Sequence, residues 1–360
     1  MSFKKVLCFI LCVCLILSLF SCMKQGDLMT TTTTSGDEKL TTEKDDATTS
    51  ATWTEGETEW TSPDGAPVPD SSTEPIVAEV VELPSGIKKN TVSLYGEYTK
   101  TEATYTGLEP LPKAEFKVHD PDNSRNLPTK LIAHAYGVAK DGKPNDISVR
   151  SQAFFDSKNY NAITYDNKTD KKVLYLTFDV GYENGYTAKI LDVLKEKNVP
   201  AMFFCTLPQI KQYPQLIARM ILEGHVVGNH SKTHPSFAKI SRTKMMEEVK
   251  AFDDYIREKF GYTAPFFRYP MGEYNESSLE LLNSFGFKCV FWSVAYADWD
   301  LNNQKGKEHA FNTVTSRLHP GAVILLHSVS PDNANALGDI IDYARQQGYE
   351  FKLLPNKRQK

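Results

Sequence analysis

The sequence predicts an α/β protein: a distorted (β/α) barrel of about seven strands, preceded by a disordered Thr-rich tether. Three observations predict it. From Lys171 onward, apolar runs of strand length alternate with amphipathic segments of helix length, about six or seven such units over roughly 185 residues. Reactive polar residues fall at the C-terminal ends of those apolar runs, where such barrels keep their chemistry. The stretch from Met29 to about Pro75 holds almost no aliphatic residues and cannot form a core.

The elements follow in order. Residues 1–22 read as a lipoprotein-type signal peptide: Lys4 and Lys5, then an apolar run from Val6 to Phe20 that is short for a membrane span. Its end, Leu19-Phe20-Ser21-Cys22, resembles a bacterial lipobox in which Cys22 becomes the lipidated N-terminus. The expected location is therefore extracytoplasmic, at a bacterial cell surface or spore envelope, with the membrane reached through that lipid. Residues 23–85 read as a disordered acidic Thr/Ser-rich linker, too poor in aliphatic residues to offset its ordering entropy. Met29 to Pro75 carries about 11 acids against two lysines, roughly −9, while the whole chain carries −4. The low pI of 6.1 thus describes the tether and says little about substrate charge. Trp53 and Trp60 have no rationale in such a linker. Residues 86–165 read as an N-terminal extension packing on the barrel, with a possible hairpin in "TVSLYGEYTKTEATYTG" and a turn-rich loop in "AHAYGVAKDGKPND".

Residues 166–356 hold the main domain. Strands are predicted at Val173–Phe178, Ala201–Cys205, "HVVGNH", "APFFRYP", "CVFWSV", "AVILLH" and "FKLL". Helices are predicted at Thr187–Lys197, Pro214–Glu223, Arg242–Phe260, Ser277–Phe285, His309–Leu318 and Ala334–Gln347. Cys205 and Cys289 read as buried strand residues, since two cysteines make no disulfide framework.

Five strands deliver a reactive side chain to one rim: Asp179; His230 with His234; Arg268; Asp298 with Trp299; and His327. "HSKTH" spaces two imidazoles as a helical metal pair would, but Pro235 drives His234 away from helical backbone, so a tight loop is expected.

"TFDVG", "HSKTH", "RYPMG", "AYADW" and "LLH", in this order, resemble the five motifs of polysaccharide deacetylases of the NodB-homology type, carbohydrate esterase family four. "DVGYENGYT", "VFWSVAYADWD" and "HPGAVILLHSVSPDNANAL" are similar to the delta-lactam-biosynthetic de-N-acetylases, which act on N-acetylmuramic acid of peptidoglycan in the spore cortex. The resemblance covers Lys171 to Leu354. It implies a hydrolase that removes N-acetyl groups from peptidoglycan amino sugars by metal-assisted attack of water, in a sporulation or cell-wall setting. Asp179 would be the base, Arg268 its holder and His327 the acid. His230 and His234 would bind a divalent metal: zinc, cobalt or manganese. Met271 would offer its backbone N–H to the oxyanion, and Leu325 and Trp299 would shape the acetyl pocket.

Two departures from that pattern stand out. Val180 occupies the place of an Asp metal ligand and carries no lone pair, which raises Glu183 and Asn184 as substitute ligands. Ala295 replaces an Asp that tunes the acid in the family; unless Asp298 serves instead, His327 should have a pKa lower than the family's. Other readings are a deacetylase or esterase acting on chitooligosaccharide or xylan, and a glycan-binding pseudoenzyme. The missing basic aromatic stripe and the export signal give a nucleic-acid partner little support, and a monomer is expected.

Overall fold

A computed structural model describes residues 113–355. The leader, the acidic linker, Cys22 and the possible hairpin at residues 91–107 lie outside them.

The sheet grows from β3 (Val173–Val180), buried along its whole length. One face of β3 carries Leu174, Leu176, Phe178 and Val180, which join the large apolar cluster under the helices. The other face turns into the barrel. There Val173 and Tyr175 sit in an apolar floor with Phe204, Phe266 and Val323, and Thr177 and Asp179 stand above it. Alternation along a single strand therefore separates the core from the site.

β4 (Met202–Cys205) and β5 (Val226–Asn229) follow in parallel register, then β6 (Phe266–Phe267), β8 (Lys288–Val290) and β2 (Ala162–Ile163). On the other side, β9 (Ala322–His327) pairs with β3 from Leu174 to Asp179. The short β10 (Glu350–Phe351) pairs with the start of β3. Past β8, a bridge between Val294 and Ile324 draws the chain back to β9 and curls the sheet toward closure. The outcome is the expected α/β fold with a curled parallel half-barrel.

The helices are α1 (Asp146–Ser157), α2 (Thr187–Lys197), α3 (Leu207–Gln212), α4 (Pro214–Leu222), α5 (Arg242–Phe260), α6 (Glu276–Ser284), α7 (Lys307–Thr315) and α8 (Pro331–Gln346). Their ends follow from local chemistry. Asn145 caps α1 and Ser241 caps α5, each side chain accepting an N–H of the first turn, and Asn275 with Ser278 forms a capping box on α6. Gly261, at φ 61°, closes α5.

The strand expected at "CVFWSV" ends at Val290, because the chain must leave the sheet before it bridges to β9. After β6, Pro270 and a left-handed Met271 make a tight turn into β7 (Glu273–Tyr274). β7 pairs antiparallel with β1 (Ile132–Ala133), so the extension is stitched to the rim of the barrel. Phe155 of α1 is fully buried in the cluster that also holds Tyr274 and Phe291.

Candidate active site

Arg268 is fully buried at the end of β6, and every bond it makes defines the site. Its Nε donates to Val290 O (2.9 Å), Nη2 to Phe291 O (3.2 Å), and Nη1 to Thr177 Oγ1 (2.9 Å) and Asp179 Oδ1 (2.8 Å). Its guanidinium stacks over the Phe204 ring at 4.2 Å. Gly228 makes room for that ring: a Cβ there would meet Phe204 at 2.5 Å. The planar fork is what allows one residue to hold two successive carbonyls at the end of β8 and a carboxylate of β3 together.

Asp179 is therefore held at Oδ1 and free to act at Oδ2. Burial alone would raise its pKa, but the charge of Arg268, helped by His230 and His327, holds it below the usual carboxylate range. It is ionised whenever the protein is near neutrality.

His327 lies directly opposite Asp179 in the β3–β9 register. Its Nδ1–H donates to Asp298 Oδ1 at 2.6 Å, and its backbone N–H donates to Asp298 Oδ2 at 2.8 Å. Asn333 donates to the same carboxylate and secures it. Burial would depress this imidazole, yet Asp298, with Asp179 beyond it, raises its pKa above the ordinary value. Of the two outcomes left open at Ala295, Asp298 takes up the orienting role, and Ala295 joins Leu325 and Trp292 in a small apolar cluster. Leu325 sits one alternation below His327 on the same face of β9, so this cluster lies beside the acid. Trp299 stands at the rim on the other side of the acid. It is half exposed, its ring 5.5 Å from that of His327.

The "HSKTH" segment is a loop, as expected, and His234 takes a left-handed φ of 58° ahead of Pro235. His230 Nδ1 faces the Arg268 carbonyl at 2.9 Å; a carbonyl only accepts, so Nδ1 carries the proton. Burial keeps His230 below its ordinary pKa, which leaves Nε2 a bare lone pair 3.5 Å from Asp179 Oδ2. The His234 ring packs against it at 4.8 Å. Although His234 keeps exposed surface, desolvation of its ring and the adjacent His230 hold it well below the imidazole range.

Two neutral imidazoles suit a divalent ion with water in its remaining positions. They do not amount to a three-ligand protein cage: among the described residues, no three His, Cys, Asp or Glu side chains converge as one. Val180 is fully buried on the helix side of β3 and supplies nothing. Of the two substitutes, Glu183 is committed elsewhere and Asn184 is engaged through its amide nitrogen. Glu183 Oε1 accepts the N–H of Gly185 (2.7 Å) and of Thr187 (3.3 Å), since the Gly181 turn places it at the positive N-terminus of α2. Asn184 donates to Val329 O at 3.0 Å.

Met271, half exposed at φ 57°, presents the turn after Arg268 at the rim. Gly272 follows, also left-handed, and a Cβ on it would strike Trp292 at 2.8 Å.

Two contributors escaped the sequence reading. Glu248, fully buried on α5, accepts both the N–H (2.7 Å) and the hydroxyl (2.9 Å) of Thr233, within the His loop. The signal for it was an acid on the same helix face as Met245, Val249 and Phe252. Trp292 had no signal that distinguished it from any apolar strand residue.

The profile of the polysaccharide deacetylase family matches residues 166–290. The peptidoglycan-N-acetylmuramic acid deacetylase PdaA of Bacillus subtilis is 44% identical over 229 residues, which cover 63% of this chain and 86% of that protein. A peptidoglycan-N-acetylglucosamine deacetylase of Bacillus cereus is 33% identical over 201 residues, 54% of this chain and 71% of that one. The solved structure of Bacillus subtilis PdaA, a family 4 carbohydrate esterase, superposes with a TM-score of 0.60 at 40% identity, covering 63% of this chain and 96% of the other. Motif order, barrel and relatives agree: the chain belongs to the polysaccharide deacetylase family and is a deacetylase.

Proposed function

We propose that the chain removes the N-acetyl group from peptidoglycan amino sugars, N-acetylmuramic acid foremost, in the route to delta-lactam. The observation that carries the reading is the facing pair Asp179 and His327, one carboxyl held ionised by Arg268 and one imidazole held protonated by Asp298. Environments that push two titratable groups apart assign the base and the acid. The names of the relatives favour peptidoglycan sugars as the substrate class.

In this reading Asp179 Oδ2 takes a proton from the attacking water while Arg268 fixes the carboxylate through Oδ1. The acetyl methyl enters the cluster of Trp292, Ala295 and Leu325. The Met271 amide faces the developing oxyanion, a donor type that contributes about 3 kcal/mol. His327, its Nδ1 tied to Asp298, gives the Nε2 proton to the departing nitrogen, so an amide and water become acetate and an amine. His230 and His234 would hold a divalent ion, which would supply polarisation of the carbonyl and a more acidic water. Residues 1–22 would anchor the enzyme outside the cytoplasm, and residues 23–85 would space it from the membrane.

The test is acetate release from peptidoglycan strands stripped of their stem peptides, read beside the mass of the product muropeptides. Wild-type protein should release acetate, and Asp179→Asn should lower the rate at least about a hundredfold. Release undiminished in Asp179→Asn would overturn the assignment of the base.

A further inference from the structure

Among the described residues, the exposed large apolar side chains are Leu131, Ile132, Tyr136, Val138, Val149, Met271 and Trp299. They are not scattered. Four of the seven come from one strap, residues 131–138, and β1 within it lies beside the turn that carries Met271. A concentration of apolar surface at the mouth of a site marks a binding face.

The strap is fastened on both sides of Tyr136. Before it, the His134 N–H donates to Gly272 O at 3.0 Å, and His134 Nε2 lies 2.8 Å from Trp292 O. After it, Gly137 packs so closely on Asn145 that a Cβ would come within 2.4 Å, Asn145 donates to Ser293 O at 2.8 Å, and Ala139 is buried. Between these anchors the Tyr136 ring stays exposed and meets one aromatic partner, Trp299, edge to face at 6.3 Å and 67°. Trp299 in turn meets the ring of His327 at 5.5 Å. A fixed backbone thus presents two bare aromatic rings as an open corner continuous with the acid.

We infer that Tyr136 and Trp299 form an aromatic platform that stacks on a pyranose ring next to the one being deacetylated, making Tyr136 a specificity-determining residue for polymeric glycan. The inference rests on the deacetylase reading above and deepens it. A sugar ring offers an apolar C–H face and a hydroxyl rim, and Tyr and Trp match both with a flat apolar body and a polar tip. Tyr136 is two ring-to-ring steps from His327, so the sugar it covers is a neighbour of the reacting one. It lies ahead of residues 166–290, which the family profile matches.

The experiment uses the full chain and peptide-free glycan tetrasaccharide from peptidoglycan. In an Asp179→Asn background, calorimetric titration should show tetrasaccharide binding weakened roughly five- to tenfold by Tyr136→Ala and restored in Tyr136→Phe. Tyr136→Leu, which keeps bulk without a ring face, should behave as Ala does and guards against a folding defect. With Asp179 restored, Tyr136→Ala should raise KM for the tetrasaccharide by the same factor, leave kcat unchanged and leave the unfolding midpoint in place. Equal tetrasaccharide affinity in parent and Tyr136→Ala would overturn the inference. So would a loss seen only when stem peptides are attached, since that assigns the platform to peptide. Ring-dependent binding without acetate release would sink the deacetylase reading and leave the platform standing.

Discussion

Asp298 decides how far into alkaline solution the acid stays charged. His327 must carry a proton to give one away, and burial works against that. The carboxylate 2.6 Å from Nδ1 reverses the balance. In Asp298→Asn the hydrogen bond can persist while the charge is lost, so the imidazole should fall below its ordinary pKa. The alkaline limb of the pH profile of kcat/KM should then move to lower pH by about one unit or more, with kcat nearly kept at the acidic end. A uniform loss of rate with an unshifted limb would show that Asp298 only positions. The sequence contained both residues at strand ends and hinted at the pairing, but the 29-residue separation between them gave no distance.

At the scale of elements, α5 acts as more than cover for the sheet. Its Glu248 clamps Thr233 from below and so fixes the loop that carries His230 and His234, including the left-handed backbone at His234. Glu248→Gln keeps the size but can accept only one of the two bonds. The expected outcome is divalent-ion affinity weakened roughly tenfold in calorimetric titration, with binding of peptide-free glycan unchanged. Undiminished ion affinity would show that the loop holds itself. The extent of α5 was legible because 19 residues of one amphipathic period have a single good solution, and α2 was legible for the same reason. β1 paired with β7 was not, because such a pair exists only through a partner strand distant in sequence, and of the strand expected at "APFFRYP" only the two residues of β6 pair. The helices α1 and α3 were missed too: short, polar or Pro-containing segments gain their stability from what they pack on.

For the whole molecule, three buried imidazoles tie stability to pH. Burial lowers His134 to about 4, His225 to about 3 and His319 to about 4. In the unfolded chain they titrate near 6.5, so below that value the unfolded state binds more protons and stability falls as pH falls. His327 runs the other way: its raised pKa contributes stability below the ordinary imidazole value, lost as pH rises through the folded one. His230 and His234 are lowered as well, so five act against one, and the unfolding midpoint should drop by roughly 5 °C or more between pH 7 and pH 5, and by less in His225→Gln. A midpoint flat over that range in scanning calorimetry would contradict the buried neutral imidazoles. The sequence by itself determined the parallel α/β barrel and the identity of Asp179, His230, Arg268 and His327 as rim residues, because period and strand ends are local properties of a chain. The tertiary structure alone decided which groups face each other: Asp298 on His327, Glu183 on a helix start, Val180 in the core and Tyr136 against Trp299. Each of those depends on how the sheet curls, and curl is set by packing summed over all the strands at once.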